Sequence, residues 1–272
     1  MVLMDTSADR AVTEMVMNEV RDFATTFRIR HIAEKDDPDG TLNMKIHNAF
    51  IATLGSETQY YTSLVRSFDS SLGNMLERLA MRLAEVHYEV RRSVEGPLSP
   101  EQTQAIAALL EAYKSYTKKP QVSDYQVLRN TKSNAPICSK RHDSDYYLTD
   151  RQTKENSLIE LKIGGDLDNK KARSEKEAIL EQFAILSNTL PADAQIKIYF
   201  GTAYNRFGED SPWTQSRVRQ YFAEDELLIG REFWNFITKS ENGYLLVMNA
   251  YRDSAHYIIE ALDEIKALYL GS

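Results

Sequence analysis

A single cysteine, Cys138, stands in this chain of 272 residues. That excludes an internal disulfide framework and any multi-cysteine zinc site. No apolar run approaches about 18 residues, so a membrane-spanning helix is not expected. Met1 to Arg10 turns acidic and polar too early for a secretory signal peptide, and a reducing cytoplasm is the expected compartment. Walker motifs, a Rossmann glycine fingerprint, a Gly-x-Ser-x-Gly elbow, internal repeats and low-complexity segments are all missing. So is an excess of positive charge: 33 Lys and Arg face 40 Asp and Glu, a net charge of −7, which argues against a general polyanion binder. Hydrophobic residues make up 42%, enough for a real core in a chain of this length.

The first third reads as helix. Val12 to Ile32 places Val12, Met15, Val16, Val20, Phe23 and Phe27 at three-to-four spacing. The turn residues Glu34 to Gly40 end it, and a shorter helix is expected over Asn43 to Leu54. Ser70 or Ser71 is expected to cap a long helix holding Leu72 to Val86 and broken near Gly96-Pro97. Ser99-Pro100-Glu101-Gln102 is a helix start, with Ser at the cap, Pro first and Gln third; its helix should run to about Tyr116. The next stretch, to Asn134, reads as irregular, with at most a short strand near Tyr125 to Leu128. Strands are expected at Tyr146 to Thr149, Ser157 to Ile163 and Gln195 to Phe200, with a helix from about Lys171 to Leu190. Helices are expected over Pro212 to Tyr221, Glu226 to Phe236 and Tyr244 to Leu270. The order implies one α/β domain: a helical region 1–116, a catalytic mixed-sheet core of about 117–205, and a helical region of about 206–272.

Chemistry concentrates in the two middle strands. Asp145 opens Tyr146-Tyr147-Leu148, and Glu160 and Lys162 alternate in Ile159-Glu160-Leu161-Lys162-Ile163-Gly164-Gly165. Period-two alternation puts Glu160 and Lys162 on one face, and a turn between strands brings Asp145 alongside. Two carboxylates and an ammonium suit a hard divalent metal and an activated water. Asp145 and Glu160 are the expected Mg²⁺ ligands, with the Leu161 carbonyl as a further one, and Lys162 would orient the attacking water. Asp143 is a rival for Asp145. Local charge favours a phosphodiester: Lys114, Lys118, Lys119, Arg129, Lys132, Lys140 and Arg141 precede the first acid, with Asp124 their single acidic neighbour. Lys170, Lys171, Arg173 and Lys176 follow the second. These observations predict a metal-dependent nuclease.

The layout resembles the PD-(D/E)xK nuclease fold, and type II restriction endonucleases within it, with Ser144 where the leading proline would stand. Arg66-Ser67-Phe68-Asp69-Ser70-Ser71-Leu72-Gly73 and Ile159 to Asn169 are similar to the TdeIII-type restriction enzymes. The resemblance implies a restriction-endonuclease-like mixed sheet flanked by helices. It implies Mg²⁺-dependent cleavage of double-stranded DNA at an interrupted GG/CC or CC/GG palindrome, leaving 5′-phosphate and 3′-hydroxyl ends. It also gives Glu77 the place of an accessory acid delivered by a helix before the sheet. Lys170-Lys171-Ala172-Arg173-Ser174-Glu175-Lys176 is similar to the Arg-x-(Asp/Glu)-Arg element that reads such sites, with Arg173 and Lys176 donating to guanine and Glu175 accepting from cytosine. The spacing from Lys162 is longer than in that element.

Lesser signals surround this core. Asp166, Asp168 and Asn169 read as a turn and helix cap, or as ligands of a second metal. Lys140, Arg141 and His142 are expected at phosphates, and Arg206 sits in a loop after a strand, where Tyr204 to Gly208 could reach DNA. Trp213, Trp234, Tyr244, Tyr251 and Tyr257 read as core or dimer contacts. A two-fold homodimer matches a palindromic site. A DNA-repair or structure-specific nuclease of the same fold, and a non-enzymatic helical interaction protein, are the alternatives.

Overall fold

The structure, a computed structural model, describes residues 6–43, 47–131 and 138–271. Lys132, part of the expected basic approach, lies outside these, as does part of the short helix expected over Asn43 to Leu54. The chain divides into a helical unit (residues up to Arg82 and from Leu245 onward) and an α/β unit (Leu83–Tyr244).

The helical unit contains α1 (Thr6–Ala33), α2 (Ala49–Ala52), most of α3 (Ser56–Ala84) and most of α9 (Gly243–Leu270). Val16, Val20, Phe23 and Phe27 of α1 are buried, and Phe68 of α3 packs edge-on against Phe23 and Phe27. The apolar stripe of α1 is therefore the one its spacing predicts. Glu19, also buried, accepts from Arg78 at 2.9 Å and Arg82 at 2.8 Å. Ser70 and Ser71 do not cap a helix: α3 runs unbroken through them from Ser56.

His31 at the end of α1 is fully buried. Burial and the adjacent Arg30 pull its pKa down to about 4. Between that value and the unfolded value of about 6.5, the unfolded chain binds the extra proton. His31 therefore contributes its full stability above pH 6.5 and loses it as pH falls toward 4, on the order of 3 kcal/mol at the acid end. Denaturant midpoints at pH 7 and pH 4.5 should converge in His31→Gln relative to the native chain; an identical acid loss in both would refute the assignment.

In the α/β unit, α4 (Pro100–Lys114) begins as its sequence predicts. The Ser99 side chain accepts from Gln102 N and the Gln102 side chain accepts from Ser99 N, a complete capping box with Pro100 in the first turn. Five strands form one mixed sheet in chain order: β1 (Tyr88–Leu98), β2 (Cys138–Asp150), β3 (Asn156–Leu161), β4 (Ile196–Thr202) and β5 (Leu227–Ile229). β1, β2 and β3 pair antiparallel, while β3, β4 and β5 pair parallel. The helix α6 (Asn169–Thr189) makes the crossover from β3 to β4 and buries Ile179, Leu180, Phe183 and Leu186 in the main core.

Several expectations need correction. The stretch after Ala84 is an edge strand, β1; it is not a continued helix. Tyr125 to Leu128 is a short 3-10 turn running into α5 (Gln126–Asn130), with no strand. Pro212 to Tyr221 is helical only over α7 (Ser216–Arg219). Glu226 to Phe236 contains β5 before α8 (Arg231–Thr238).

Candidate active site

Register assembles the acids. β2 pairs with β3 through Tyr146 opposite Ile159 and Tyr147 opposite Leu158, and the same count sets Asp145 level with Glu160. Residues opposite each other across a ladder share a face. The next ladder donor, the Leu161 N–H, is taken by a side chain: Asp145 Oδ2 accepts it at 2.9 Å. A carboxylate thus closes the pairing where the strands separate, and its other oxygen makes no hydrogen bond among the described residues. Asp143 lies further along β2, paired with Ser93 of β1 and exposed, so the geometry favours Asp145 over its rival.

Every residue of β3 is buried, Glu160 included. Lys162 follows directly, its backbone N–H held by Gly201 O of β4 at 3.0 Å. Its Nζ makes a short ion pair with Glu160 Oε1 and lies 3.3 Å from Glu175 Oε1, which projects from the second turn of α6. The chain then turns sharply. Gly165 has φ +65°, and a Cβ there would meet Thr202 Cγ2 at 2.8 Å, so only glycine fits both the dihedral and the space. Asp168 caps α6 by accepting from Lys171 N at 2.8 Å, and Asp166 pairs with Arg206 at 2.8 Å. Of the two readings offered for these acids, the turn and cap is the one this geometry matches.

Two carboxylates therefore pair with one ammonium, and the Asp145 charge acts on both Glu160 and Lys162. Burial and the Asp145 charge push the Glu160 carboxyl up, and Lys162 only partly offsets them. Burial alone would lower the Lys162 ammonium, but Glu160, Glu175 and Asp145 outweigh it and push it up. What the two shifts share is the neighbouring negative charge, which burial reinforces at Glu160 and opposes at Lys162. A hard cation would offset that charge. Among the described residues no group of three His, Cys, Asp or Glu side chains forms a finished metal cage. The donors that could hold a hard cation are the Asp145 and Glu160 carboxylates, an oxygen set of the kind such ions take.

A family model described as type II restriction endonuclease, HinfI, matches residues 10–255. The chain belongs to the HinfI family of type II restriction endonucleases. Searches of curated proteins and of solved structures return no match. Membership makes this a site-specific deoxyribonuclease that binds double-stranded DNA, with the nuclease α/β sheet that its sequence predicts. The matched span includes both segments that resemble TdeIII-type enzymes, but the match is to HinfI and says nothing of that narrower likeness. Among the described residues no helix is long and apolar enough to cross a membrane.

The residues expected to read DNA in this restriction endonuclease fare unequally. Lys170, Lys171 and Arg141 are exposed. Lys140 is exposed too, but pairs with Glu181, whose carboxylate also stands 2.8 Å from His142 Nε2. Arg173 is half-buried, 3.9 Å from Glu111. Lys176 requires correction: it is fully buried, with Nζ 2.8 Å from Glu226 Oε2 and 2.6 Å from Tyr125 Oη. A core ammonium already saturated by a carboxylate and a phenol is a packing element and does not donate to guanine. Glu175 turns to Lys162 and joins the acid cluster. Sequence spacing alone missed that contact; the signal available was that the second turn of a crossover helix faces the end of the strand before it. Glu77 is half-buried on α3 of the helical unit.

Proposed function

We propose that this restriction endonuclease hydrolyses duplex DNA with a PD-(D/E)xK-type site in which Asp145 and Glu160, with the Leu161 carbonyl, hold Mg²⁺ and Lys162 positions the attacking water. The observation that supports this most is the meeting of the Asp145 and Glu160 carboxylates and the Lys162 ammonium where β2 and β3 part, fixed by the Asp145–Leu161 N–H bond. Bound there, Mg²⁺ supplies Lewis-acid polarisation of the phosphate and lowers the pKa of a bound water. Lys162 Nζ, with two of its three protons on Glu160 and Glu175, has the third to donate to the attacking water. Attack of the water oxygen on phosphorus breaks the bond to O3′. The attacking water gives up one proton to solvent and the departing O3′ takes one from solvent, leaving a 3′-hydroxyl and a 5′-phosphate. Lys170, Lys171, Arg141 and Arg206 are the exposed or half-exposed cations proposed to touch the duplex, and a homodimer is proposed because one two-fold axis serves both strands of a palindrome.

The interrupted GG/CC or CC/GG target rests on the TdeIII-type likeness alone. The element expected to read it has Lys176 in the core and Glu175 on Lys162, so the base sequence is no part of this proposal. Glu77 belongs to the helical unit, and an accessory-acid role for it rests on that resemblance alone. Glu77→Ala should lower the cutting rate by about tenfold or more if it assists a metal, and a normal rate would remove it from the mechanism. The function itself is tested by incubating the purified chain with phage DNA and Mg²⁺. Discrete fragments are expected, whose ends ligase can rejoin. A smear or junction-dependent cutting would mean a structure-specific nuclease, and intact DNA across many diverse substrates would overturn the proposal.

A further inference from the structure

Arg66-Ser67-Phe68-Asp69-Ser70-Ser71 has no part in the active site proposed above, which lies in the α/β unit. Within the helical unit its arginine and serines, with Ser63 of α3 and Arg30 of α1, line a cavity of about 470 Å³. Positions 63, 66, 67, 70 and 71 follow at three- and four-residue steps, so they share one face of α3.

The hydrogen bonds assign roles to these groups. Arg30 Nη2 lies 2.9 Å from Ser67 Oγ, 3.2 Å from Ser71 Oγ and 3.1 Å from His31 Nε2. A guanidinium only donates, so Nε2 accepts and the imidazole proton resides on Nδ1. Ser67 Oγ, 3.0 Å from the same Nε2, then turns its own proton to the ring. His31 and Ser67 thereby hold the arginine, while the hydroxyl protons of Ser63, Ser70 and Ser71 remain undirected. Ser63 is 4% exposed and its Oγ has no partner among the described residues. Neither Arg30 nor Arg66 forms a salt bridge among the described residues. Glu34, the acid nearest His31, accepts from Thr41 N at 2.8 Å and stays 3.7 Å from the ring.

Two guanidinium groups without a carboxylate partner among the described residues stand beside serine hydroxyls that can each turn a proton into the cavity, with Thr41 and Asn48 completing the lining. A buried hydroxyl without a partner, as at Ser63, is costly, and a tetrahedral oxyanion accepts from hydroxyl and guanidinium donors together; guanidinium and phosphate match closely in geometry. We propose that this cavity binds a phosphoryl group, supplied by the DNA backbone, with Arg66 and Arg30 as counter-charges and Ser63, Ser70 and Ser71 as neutral donors. The proposal rests on duplex DNA being the ligand, and does not depend on which residues cut it.

Arg66 is exposed and engaged by nothing among the described residues, so Arg66→Ala should fold. Binding of a duplex by the full chain is measured without divalent metal, over a salt series. The variant should bind about tenfold more weakly on every sequence, and the slope of log K against log salt should shrink by about one. In a second arm, inorganic phosphate is added to the native chain and to Arg66→Ala, and thermal unfolding and phosphorus NMR are followed. Stabilisation of the native chain alone, with an unchanged duplex slope, would assign the cavity to free phosphate. Unchanged duplex binding together with no response to phosphate would overturn the proposal. A chain that binds duplex through Arg66 yet cuts nothing would sink the nuclease reading and leave this site standing.

Discussion

Lys162→Ala should lower the cutting rate at saturating DNA and Mg²⁺ by about a hundred- to a thousandfold, while the uncut duplex is still bound. That magnitude is the one expected for removing a preorganised charge from the proposed site, a loss of roughly 3–4 kcal/mol of transition-state stabilisation. The selectivity for rate follows from location. Lys162 Nζ lies between Glu160 and Glu175, so most of its charge is already answered by protein and adds little to ground-state attraction for the duplex. Lys162→Arg should not restore the rate, because a rigid planar fork cannot replace a compact ammonium between two carboxylates. Single-turnover cleavage and a binding assay in Ca²⁺ separate the two effects. Full activity of the alanine variant would refute the site, and loss of binding equal to loss of rate would reduce Lys162 to a phosphate contact.

Glu226→Leu destabilises the α/β unit by about 3–5 kcal/mol, among the largest losses expected of a single substitution here. It strands the buried Lys176 amine, whose pKa burial pulls down against the opposing pull of Glu226. It also deprives Tyr125 Oη, 2.5 Å from Glu226 Oε1, and Ala223 N, 2.7 Å from Oε2, of their acceptor. Lys176→Met should cost a comparable amount by leaving the carboxylate alone. The double variant Lys176→Met/Glu226→Leu should recover most of the loss, because removing both charges removes both desolvation penalties. Urea unfolding of the three variants completes the cycle. Additive losses in the double variant would mean that the ion pair does not couple α6 to the segment before β5.

How much of this could be read in the sequence follows from the length scale of each signal. The stripe of α1, the Ser99 cap, the paired strands around Asp145 and Glu160, and α6 were legible because their cues lie within a few residues. β1 was not. Its buried positions are Tyr88, Val94 and Leu98, and a register shift between Arg91 and Ser93 breaks the alternation that would mark a strand. β5 has three residues, too few to show any period. In the candidate site, the Asp145–Glu160–Lys162 grouping followed from period-two geometry. The roles of Glu175 and Lys176 did not, since they depend on how α6 lies against the sheet. Lys176 finds its counter-charge fifty positions away at Glu226, and no local pattern distinguishes a core lysine from a surface one.

The Asp145–Leu161 bond also ties the state of the reaction centre to the mechanics of the backbone. The final rung of this ladder is a side chain, and side chains can be recruited elsewhere. Whatever draws that carboxylate oxygen away, a proton or a cation, leaves one peptide amide at the strand tip without its acceptor. Loss of that acceptor would leave the Leu161 amide unpaired where β3 ends, so hydrogen exchange at this one amide should report on the Asp145 carboxylate.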